Sequence, residues 1–463
     1  MGKNYIPLLE EIVGQENIIA ELEDLLAYSY DSTRLEYMPD VVVKAKNAEQ
    51  VSRIMALANE YEIPVTPRGA ATGLSGGCLA VNGGIMLVMV EMNRILNINP
   101  VDLLIEVEAG VVTENVSKAV EHLNLFYPPD PGSLKSSTIG GNIAENAGGL
   151  KGLKYGVTKD YVNSLEVVLP TGKIVNMGTK TVKAVTGYNI IDLMSGSEGT
   201  LGIVTKATLG LLPIPPDRAS ILVFFENMTD AATTVRDIVA RGVITATLEI
   251  VDNVTINAIE DFLKIGLDRT VGAMLLIEVD GQKGAVDIEK EIVINVCKKN
   301  NAITVRLATS IQERDELWSA RRAALSSLSR IKPSTILEDA TVPRSRIVEL
   351  VDAVNKIAAK YDMTIGTFGH AGDGNLHPTI LTDLRIPEEA SKTEKIIEEI
   401  FEETIRLGGT LSGEHGIGIT KARYLKLEIG RDLYELMAGI KNAFDPKNIL
   451  NPGKMKCVYD MAT

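Results

Sequence analysis

Three prolines within four residues, Pro213, Pro215 and Pro216 in "LPIPPDRAS", divide this chain more sharply than any other feature. Proline removes a backbone donor and fixes φ, so the stretch suits neither a helix nor a central strand. It is the natural end of a first domain, near residue 215.

The two sides are patterned differently. Upstream, "VVVKAKNAEQVSRIMALANEYEIPVTPRG" reads as strand, helix, strand, with Asn47 as the helix cap. The glycine-dense loop "RGAATGLSGG" (68–77) follows, then the apolar strand "GIMLVMVEM", the strand "LLIEVEAGV" and a helix from Thr113 to about Leu123. "NSLEVVLPTGKIVNMG" (163–178) predicts a hairpin turning at Pro170 to Lys173, and "GTLGIVTKATLGLLP" predicts a returning strand. Downstream of Ser220, strands and helices alternate in longer units, which predicts a second α+β layer. Helices are expected at about 312–330 and 344–361, and a long acidic one at about 388–407. "FDPKNILNPGK" closes the chain. The expected organisation is a helical lead-in over 1–34, a first domain over 35–215, a second over 216–440 and a closing segment over 441–463.

At 463 residues the chain exceeds a single ordinary core, given roughly 150 residues per domain. Apolar residues at 45% and charged residues at 23% predict a compact globular protein. A formal charge of −14 repels a phosphate backbone, and no basic stripe offsets it, so nucleic acid is not an expected partner. The amino end lacks the pattern of a secretory signal, and the apolar run "IMLVMV" is far short of the ~20 residues that span a bilayer, so a cytoplasmic protein without a transmembrane segment is expected. Cys78, Cys297 and Cys457 are too few and too scattered for an iron–sulfur cluster or a disulfide framework.

Glycine lets backbone N–H groups crowd an anion without obstruction by Cβ, so "PRGAATGLSGG" reads either as a pyrophosphate cradle or as a plain surface turn. It is neither G-x-G-x-x-G nor a P-loop. "YPPDPGSLKSSTIGGNIAENAGG" (127–149) and "SGSEGTLGIVT" (195–205) are two more loops of the same kind, and three in one domain point to a large ligand gripped through backbone contacts. Three of the four histidines fall in two other glycine-rich, loop-like stretches, "GHAGDGNLH" (369–377) and "SGEHGIG" (412–418). His370 and His377 with Glu414 form a set that Zn2+, Fe2+ or Mn2+ accepts, with Asp373 as a competing carboxylate. His415 has a base's ordinary pKa range. The bland alternative is that these histidines satisfy buried hydrogen bonds. Arg321 and Arg322 lie about 100° apart on a helix, so at most one faces a pocket, and a solvated charged face is the plainer reading of the pair.

Taken in order, "PRGAATGLSGG", "PPDPGSLKSSTIGGNIAENAGG", "SGSEGTLGIVT", "GHAGDGNLH", "SGEHGIG" and "FDPKNILNPGK" resemble the FAD-dependent 2-hydroxyacid dehydrogenases of the vanillyl-alcohol oxidase superfamily, of the D-lactate dehydrogenase and glycolate oxidase flavin-subunit type. The resemblance runs from about residue 35 to 456. It implies an α+β fold: a two-part FAD-binding domain with a C-terminal, ferredoxin-like α+β cap domain, and last residues that return to the FAD domain. The implied FAD contacts are Pro67, Arg68, Gly69, Ala70, Thr72, Gly73, Leu74, Ser75 and Gly76 in the first loop. In the second they are Pro131, Gly132, Ser136, Ser137, Thr138, Gly140, Gly141, Asn142, Asn146, Gly148 and Gly149. Gly196, Glu198, Gly199, Gly202, Ile203 and Val204 follow in the third, with Asn451 near the end of the chain. The resemblance further implies that His370, His377 and Glu414 bind a divalent metal, that His415 is the base and that Arg321 receives the substrate carboxylate.

The implied reaction is oxidation of a small D-2-hydroxyacid, D-lactate or glycolate, to the 2-oxoacid by hydride transfer to flavin N5. The implied electron acceptor is an electron-transfer flavoprotein or an iron–sulfur subunit. His122 is the one histidine between residues 35 and 215 and falls on the helix expected from Thr113 to about Leu123, so the FAD is expected to be non-covalent. "STILEDATVP" offers no basic residue between Ser334 and Thr341 to meet a second carboxylate, which favours a monocarboxylate substrate. The alternatives are a D-2-hydroxyglutarate-type dehydrogenase, a non-redox ether-lipid synthase type, a flavin-free metal hydrolase, and a subunit that only carries FAD within a larger complex.

Overall fold

The computed structural model describes residues 5–455. The ends of the expected lead-in and closing segments, Cys457 included, lie outside the described residues. The chain forms two compact units: one of residues 1–148, 157–214 and 414–463, the other of 149–156 and 215–413.

The first unit is built on two sheets. In one, Val41–Lys44 and Val65–Arg68 flank Ile85–Val88, both parallel to it, and Ile18–Ile19 pairs antiparallel at the edge. Parallel neighbours need a crossover, and the helix Ala48–Tyr61 supplies it. The Asn47 side chain caps this helix by accepting from the Gln50 N–H at 2.9 Å. Val51, Ile54, Met55 and Ala58 recur at helical spacing on its buried face. The other sheet is antiparallel, in the order Ile95–Asn99, Leu104–Glu108, Ile203–Gly210, Val162–Val168, Ile174–Gly178. The first glycine-dense loop follows the strand Val65–Arg68, the second the short strand Leu125–Phe126, and the third the short helix Ile190–Met194.

In the second unit, Asp217–Phe225, Thr247–Asp252, Ala273–Gly281 and Thr304–Leu307 are the first four strands of one sheet. Numbered along the chain they lie in the order 4-1-3-2, the ferredoxin-like arrangement. Ile365–Gly369, Asn375–Thr382 and Ser334–Leu337 extend the sheet beyond Thr247–Asp252, all pairs being antiparallel. Met228–Ala240, Lys283–Lys299 and Ile347–Tyr361 bury their apolar sides in a common core with Phe225, Ile250 and Ile277. The fold class is therefore α+β in two parts.

The proline stretch enters no helix and no central strand, and three local expectations are corrected. The proline stretch is extended: Leu212–Pro213 pairs with Leu125–Phe126, and a nine-residue strand starts at Asp217, directly after Pro216. Pro213 sits in that two-residue pairing, and Pro215 and Pro216 fall between it and the long strand, where no ladder donor is lost. The helix expected over 312–330 is two, Ile311–Arg322 and Ala324–Leu328. His377 is not in a loop but inside the strand Asn375–Thr382, because the glycines of "GHAGDGNLH" are spent on one turn at Ala371–Asp373. A helix, Leu425–Phe444, precedes the closing segment where none was expected, and Gly430 at φ +69° kinks it.

That helix holds the returning chain end. Lys441, buried, donates to the carbonyls of Thr200 and Leu450 at 2.9 and 2.8 Å and to the Asp445 carboxylate at 2.5 Å. Asn451 then pairs with Val65 through backbone bonds of its own and of Ile449. Lys441→Ala leaves the Asp445 carboxylate buried without its cation, and is expected to destabilise the protein by about 3–5 kcal/mol. A lowered melting temperature, with Lys441→Arg falling less, is the measurement.

Candidate active site

Loop 68–77 leaves the strand Val65–Arg68 with its backbone donors unspent. Among the described residues, none accepts a hydrogen bond from the N–H groups of Gly69 to Gly76; the first loop donor engaged is Gly77, to Ser75 Oγ at 3.2 Å. A run of unpaired N–H groups is what an anion requires, and this is the observation by which the loop fits a pyrophosphate. Glycine is needed here for space as well. A Cβ on Gly69 would stand 2.5 Å from the Thr138 hydroxyl, which caps the helix Ile139–Glu145 by accepting from the Gly141 N–H. Loop 68–77 is thereby packed against the second loop, where a Cβ on Gly132 would meet nothing within 4 Å.

The third loop joins them through Glu198, at φ +51°. Its carboxylate accepts from the N–H groups of Ile417 and Gly418, both at 2.7 Å, and its carbonyl accepts from the Asn451 amide at 2.7 Å. Asn451 also donates to the Gly77 carbonyl at 2.9 Å, 374 residues away in sequence. Pro67 lies under Gly199, and Gly202 packs on Val167 with no room for a side chain. Ile203 and Val204 are in the strand behind. Of the residues that the resemblance implies as FAD contacts, all but Gly149 belong to the first unit. Arg68 is spent on the carbonyls of Tyr28 and Tyr30, at 3.4 and 2.8 Å. Ser137 and Asn142 are spent on Thr113, at 2.9 and 2.7 Å.

Glu145 was not singled out in the sequence, and its environment is the most unusual of the loop cluster. Its Oε1 accepts from Ser75 Oγ at 3.0 Å, while Oε2 is closed off from solvent without a partner. Burial first, and then the neighbouring Glu198 charge, push its carboxyl well above the ordinary range. Burial likewise raises Glu198, partly offset by the two N–H donors. Lys454, donating to the Leu79 carbonyl at 2.5 Å, is pushed down to about 8 by burial. Burial also lifts the free Cys78 thiol to about 12, so it is no nucleophile. His122 sits exposed at the end of the helix Thr113–Glu121.

In the second unit the strand order sets His370, at the end of Ile365–Gly369, beside His377 on Asn375–Thr382. Their rings stand edge to face with centroids 5.2 Å apart, and both are buried. A ring nitrogen of each lies within 4.8 Å of the other, a separation that one ion can bridge. Behind each histidine is a fully buried carboxylate. Glu249, from the strand Thr247–Asp252, meets His370 Nδ1 at 2.7 Å, which leaves Nε2 as the ligand side. Asp339 stands 3.7 Å from His377 Nδ1 and accepts from Asn375 at 2.6 Å and Ser412 at 2.7 Å.

Arg321 is buried and Arg322 is exposed, so the reading of a solvated charged face does not hold for Arg321. Its Nη2 meets Glu249 at 2.5 Å, its guanidinium lies 4.8 Å from the Phe368 ring centre, and its Nε has no protein partner. Burial alone would raise Glu249, but Arg321 and then His370 outweigh it and hold the carboxyl below its ordinary value. Asp373 instead lies against Gly152. Gly413 packs on Thr341 and Asn375 without room for a side chain, and Glu414 and His415 follow it as the start of the segment returning to the first unit. In that unit Glu414 lies against Gly148, whose Cβ would come 2.9 Å from its Oε2.

The sequence reading missed Glu249, Asp339 and Glu145. Their only signal was an acid inside an apolar or glycine-rich run, as Glu249 is in "ATLEIVD".

Residues 39–178 match the family described as "FAD binding domain", and residues 214–455 that described as "FAD linked oxidases, C-terminal domain". The chain belongs to the FAD-linked oxidases. Among curated FAD-linked relatives, the glycolate oxidase subunit GlcD of Bacillus subtilis (strain 168) is 50% identical over 448 residues, 96% of this chain and 95% of that one. GlcD of Escherichia coli (strain K12) is 39% identical over 98% of this chain and 89% of its own. A D-lactate dehydrogenase of Anaerostipes hadrus is 37% identical over 90% of this chain and 89% of its own. Among solved structures, an alkyldihydroxyacetonephosphate synthase superposes with a TM-score of 0.77 at 19% identity, covering 98% of this chain and 86% of that one. A p-cresol methylhydroxylase superposes with 0.76 at 19% identity, covering 97% and 96%. These two show the fold alone, which is of the vanillyl-alcohol oxidase type. As an FAD-linked oxidase the protein is an oxidoreductase with FAD as its cofactor.

The Glu145 carboxyl gives a pH signature. A folded value raised above 4.5 means the fold keeps a proton that the unfolded chain releases, so this group's contribution to stability falls as pH rises from 4.5 towards the raised value. Glu145→Gln carries no such proton. Melting curves from pH 5 to 9 are expected to show the variant gaining on the parent protein as pH rises, and parallel curves would contradict the assignment.

Proposed function

We propose that this FAD-linked oxidase oxidises a small D-2-hydroxyacid, D-lactate or glycolate, to the 2-oxoacid. The observation that carries the reading is the buried pair His370 and His377 beside a buried Arg321 whose Nε is unpartnered: a metal-type ligand pair and a carboxylate receptor in one place. The names of the GlcD and D-lactate dehydrogenase relatives support it. FAD, when bound, supplies the two-electron acceptor, and a divalent ion (Fe2+, Zn2+ or Mn2+) on His370, His377 and Glu414 supplies Lewis acidity towards the 2-hydroxyl.

The chain's own residues do the rest. Arg321 grips the substrate carboxylate through the N–H groups that Glu249 leaves open, which fixes the orientation of C2. His415 takes the hydroxyl proton as C2 gives up its hydride equivalent and the C–O bond becomes a carbonyl. The N–H groups of Gly69 to Gly76 hold the pyrophosphate of FAD. Attachment of FAD is non-covalent, since His122 is exposed at a helix end rather than set in the loop cluster. "STILEDATVP" offers no basic residue between Ser334 and Thr341 to meet a second carboxylate, which supports a monocarboxylate over a 2-hydroxyglutarate-type substrate. Electrons leave to a partner protein, an electron-transfer flavoprotein or an iron–sulfur subunit. Cys78 and Cys297 are single thiols, and among the described residues no helix is long and apolar enough to cross a membrane.

Anaerobic absorbance spectra of the metal-replete protein, before and after D-lactate, L-lactate and glycolate in turn, test the reading. Bleaching of the flavin band by D-lactate or glycolate is expected, with His415→Gln slowing it on the order of 10²-fold or more while FAD stays bound. A yellow protein that none of the three bleaches would point to a dicarboxylate or non-redox relative. A colourless protein that takes up no FAD would leave the metal-hydrolase reading.

A further inference from the structure

Glu249 belongs neither to the metal set nor to the substrate contacts, yet it touches a member of each. It stands in the middle of the strand Thr247–Asp252 with its side chain fully buried. One carboxylate oxygen meets His370 Nδ1 at 2.7 Å and the other meets Arg321 Nη2 at 2.5 Å. Its two partners come from different parts of the chain, Arg321 from the last turn of Ile311–Arg322 and His370 from the end of Ile365–Gly369. The Phe368 ring lies 4.8 Å from the guanidinium centre and 5.5 Å from the His377 ring centre, so the same wall supports the arginine and the second histidine.

A carboxylate with no solvent contact persists only where donors match both oxygens. Matching them fixes two things at once. The His370 ring is held with its proton on Nδ1, which presents Nε2 outward. The guanidinium is anchored by the ion pair from Nη2 to the second oxygen, which leaves its Nε unpartnered.

We propose that Glu249 is a positioning residue that couples the carboxylate-receiving arginine to the metal-ligating histidine, so that the substrate's carboxylate and its 2-hydroxyl are registered against each other by one buried side chain. This rests on the hydroxyacid reading above. A buried acid that only completed the fold would affect stability alone. A coupling residue affects metal affinity and substrate affinity together, through atoms that touch neither ligand.

Glu249→Gln separates these roles. Glutamine keeps the shape but has one acceptor oxygen and one amide donor, so it cannot accept from both partners. The FAD-loaded variant is expected to bind Zn2+ or Mn2+ ~10–100-fold more weakly in competition with a chelator. Its KM for the hydroxyacid that bleaches the parent protein is expected to rise about tenfold or more, with FAD content unchanged. Glu249→Asp keeps the charge and is one methylene shorter, so it reaches only one partner, and either metal affinity or KM is expected to shift. It carries the test should the glutamine variant fail to fold. A lowered melting temperature with parent-like metal affinity and KM in the variant that folds would overturn the proposal. Failure of the underlying reading shows earlier and separately, as a parent protein that takes up no divalent ion or is bleached by no hydroxyacid.

Discussion

Glu249 cannot be buried unless an arginine and a histidine are brought to it, and that demand shapes the second unit. The carboxylate sits on a central strand of a mixed-length antiparallel sheet, and the helix that carries Arg321 must end where the strand Ile365–Gly369 ends. Removing Arg321 would leave the carboxylate buried without its cation, a cost of several kcal/mol in a fold whose net stability is of that order. The extension of the ferredoxin-like sheet by Ile365–Gly369 and Asn375–Thr382 is what places two imidazoles and a guanidinium on one side of the sheet's middle.

The first unit solves a different problem. Its loops leave backbone donors open, which is costly for a loop on its own, so they are fastened from behind. Glu198 fastens the third loop to Ile417 and Gly418, Asn451 fastens the first loop to the third, and Lys441 fastens the chain end to Thr200. These fasteners are side-chain bonds to backbone, each spanning more than 200 residues of sequence. The raised carboxyls of Glu145 and Glu198 are the electrostatic residue of packing acids among glycines.

Much of this was legible. The helix Ala48–Tyr61 with its Asn47 cap, the hairpin turning at Pro170–Lys173, and the strand–helix alternation after Ser220 follow from periodicity and turn chemistry, which are local. The glycine-dense loops were legible as loops because glycine is costly to order and is needed where Cβ has no room, as at Gly69. What was not legible is telling. The helix Leu425–Phe444 was missed because a mid-helix glycine and mixed polarity mask its period. His377 was read as loop because glycine content averages over a window, whereas the backbone spends its glycines on a single turn.

The sequence by itself determined the two-part α+β architecture, the loops that expose backbone donors, and the residue types able to hold FAD and a divalent ion. These depend on spacing along the chain and on the steric limits of glycine and proline. Only the tertiary structure decided that Arg321 rather than Arg322 is buried, that Glu249 stands between it and His370, and that Asp339 stands behind His377. No spacing rule reports those pairings, because they join residues tens to more than a hundred positions apart. They are fixed by the requirement that a charge removed from water find its partners in space.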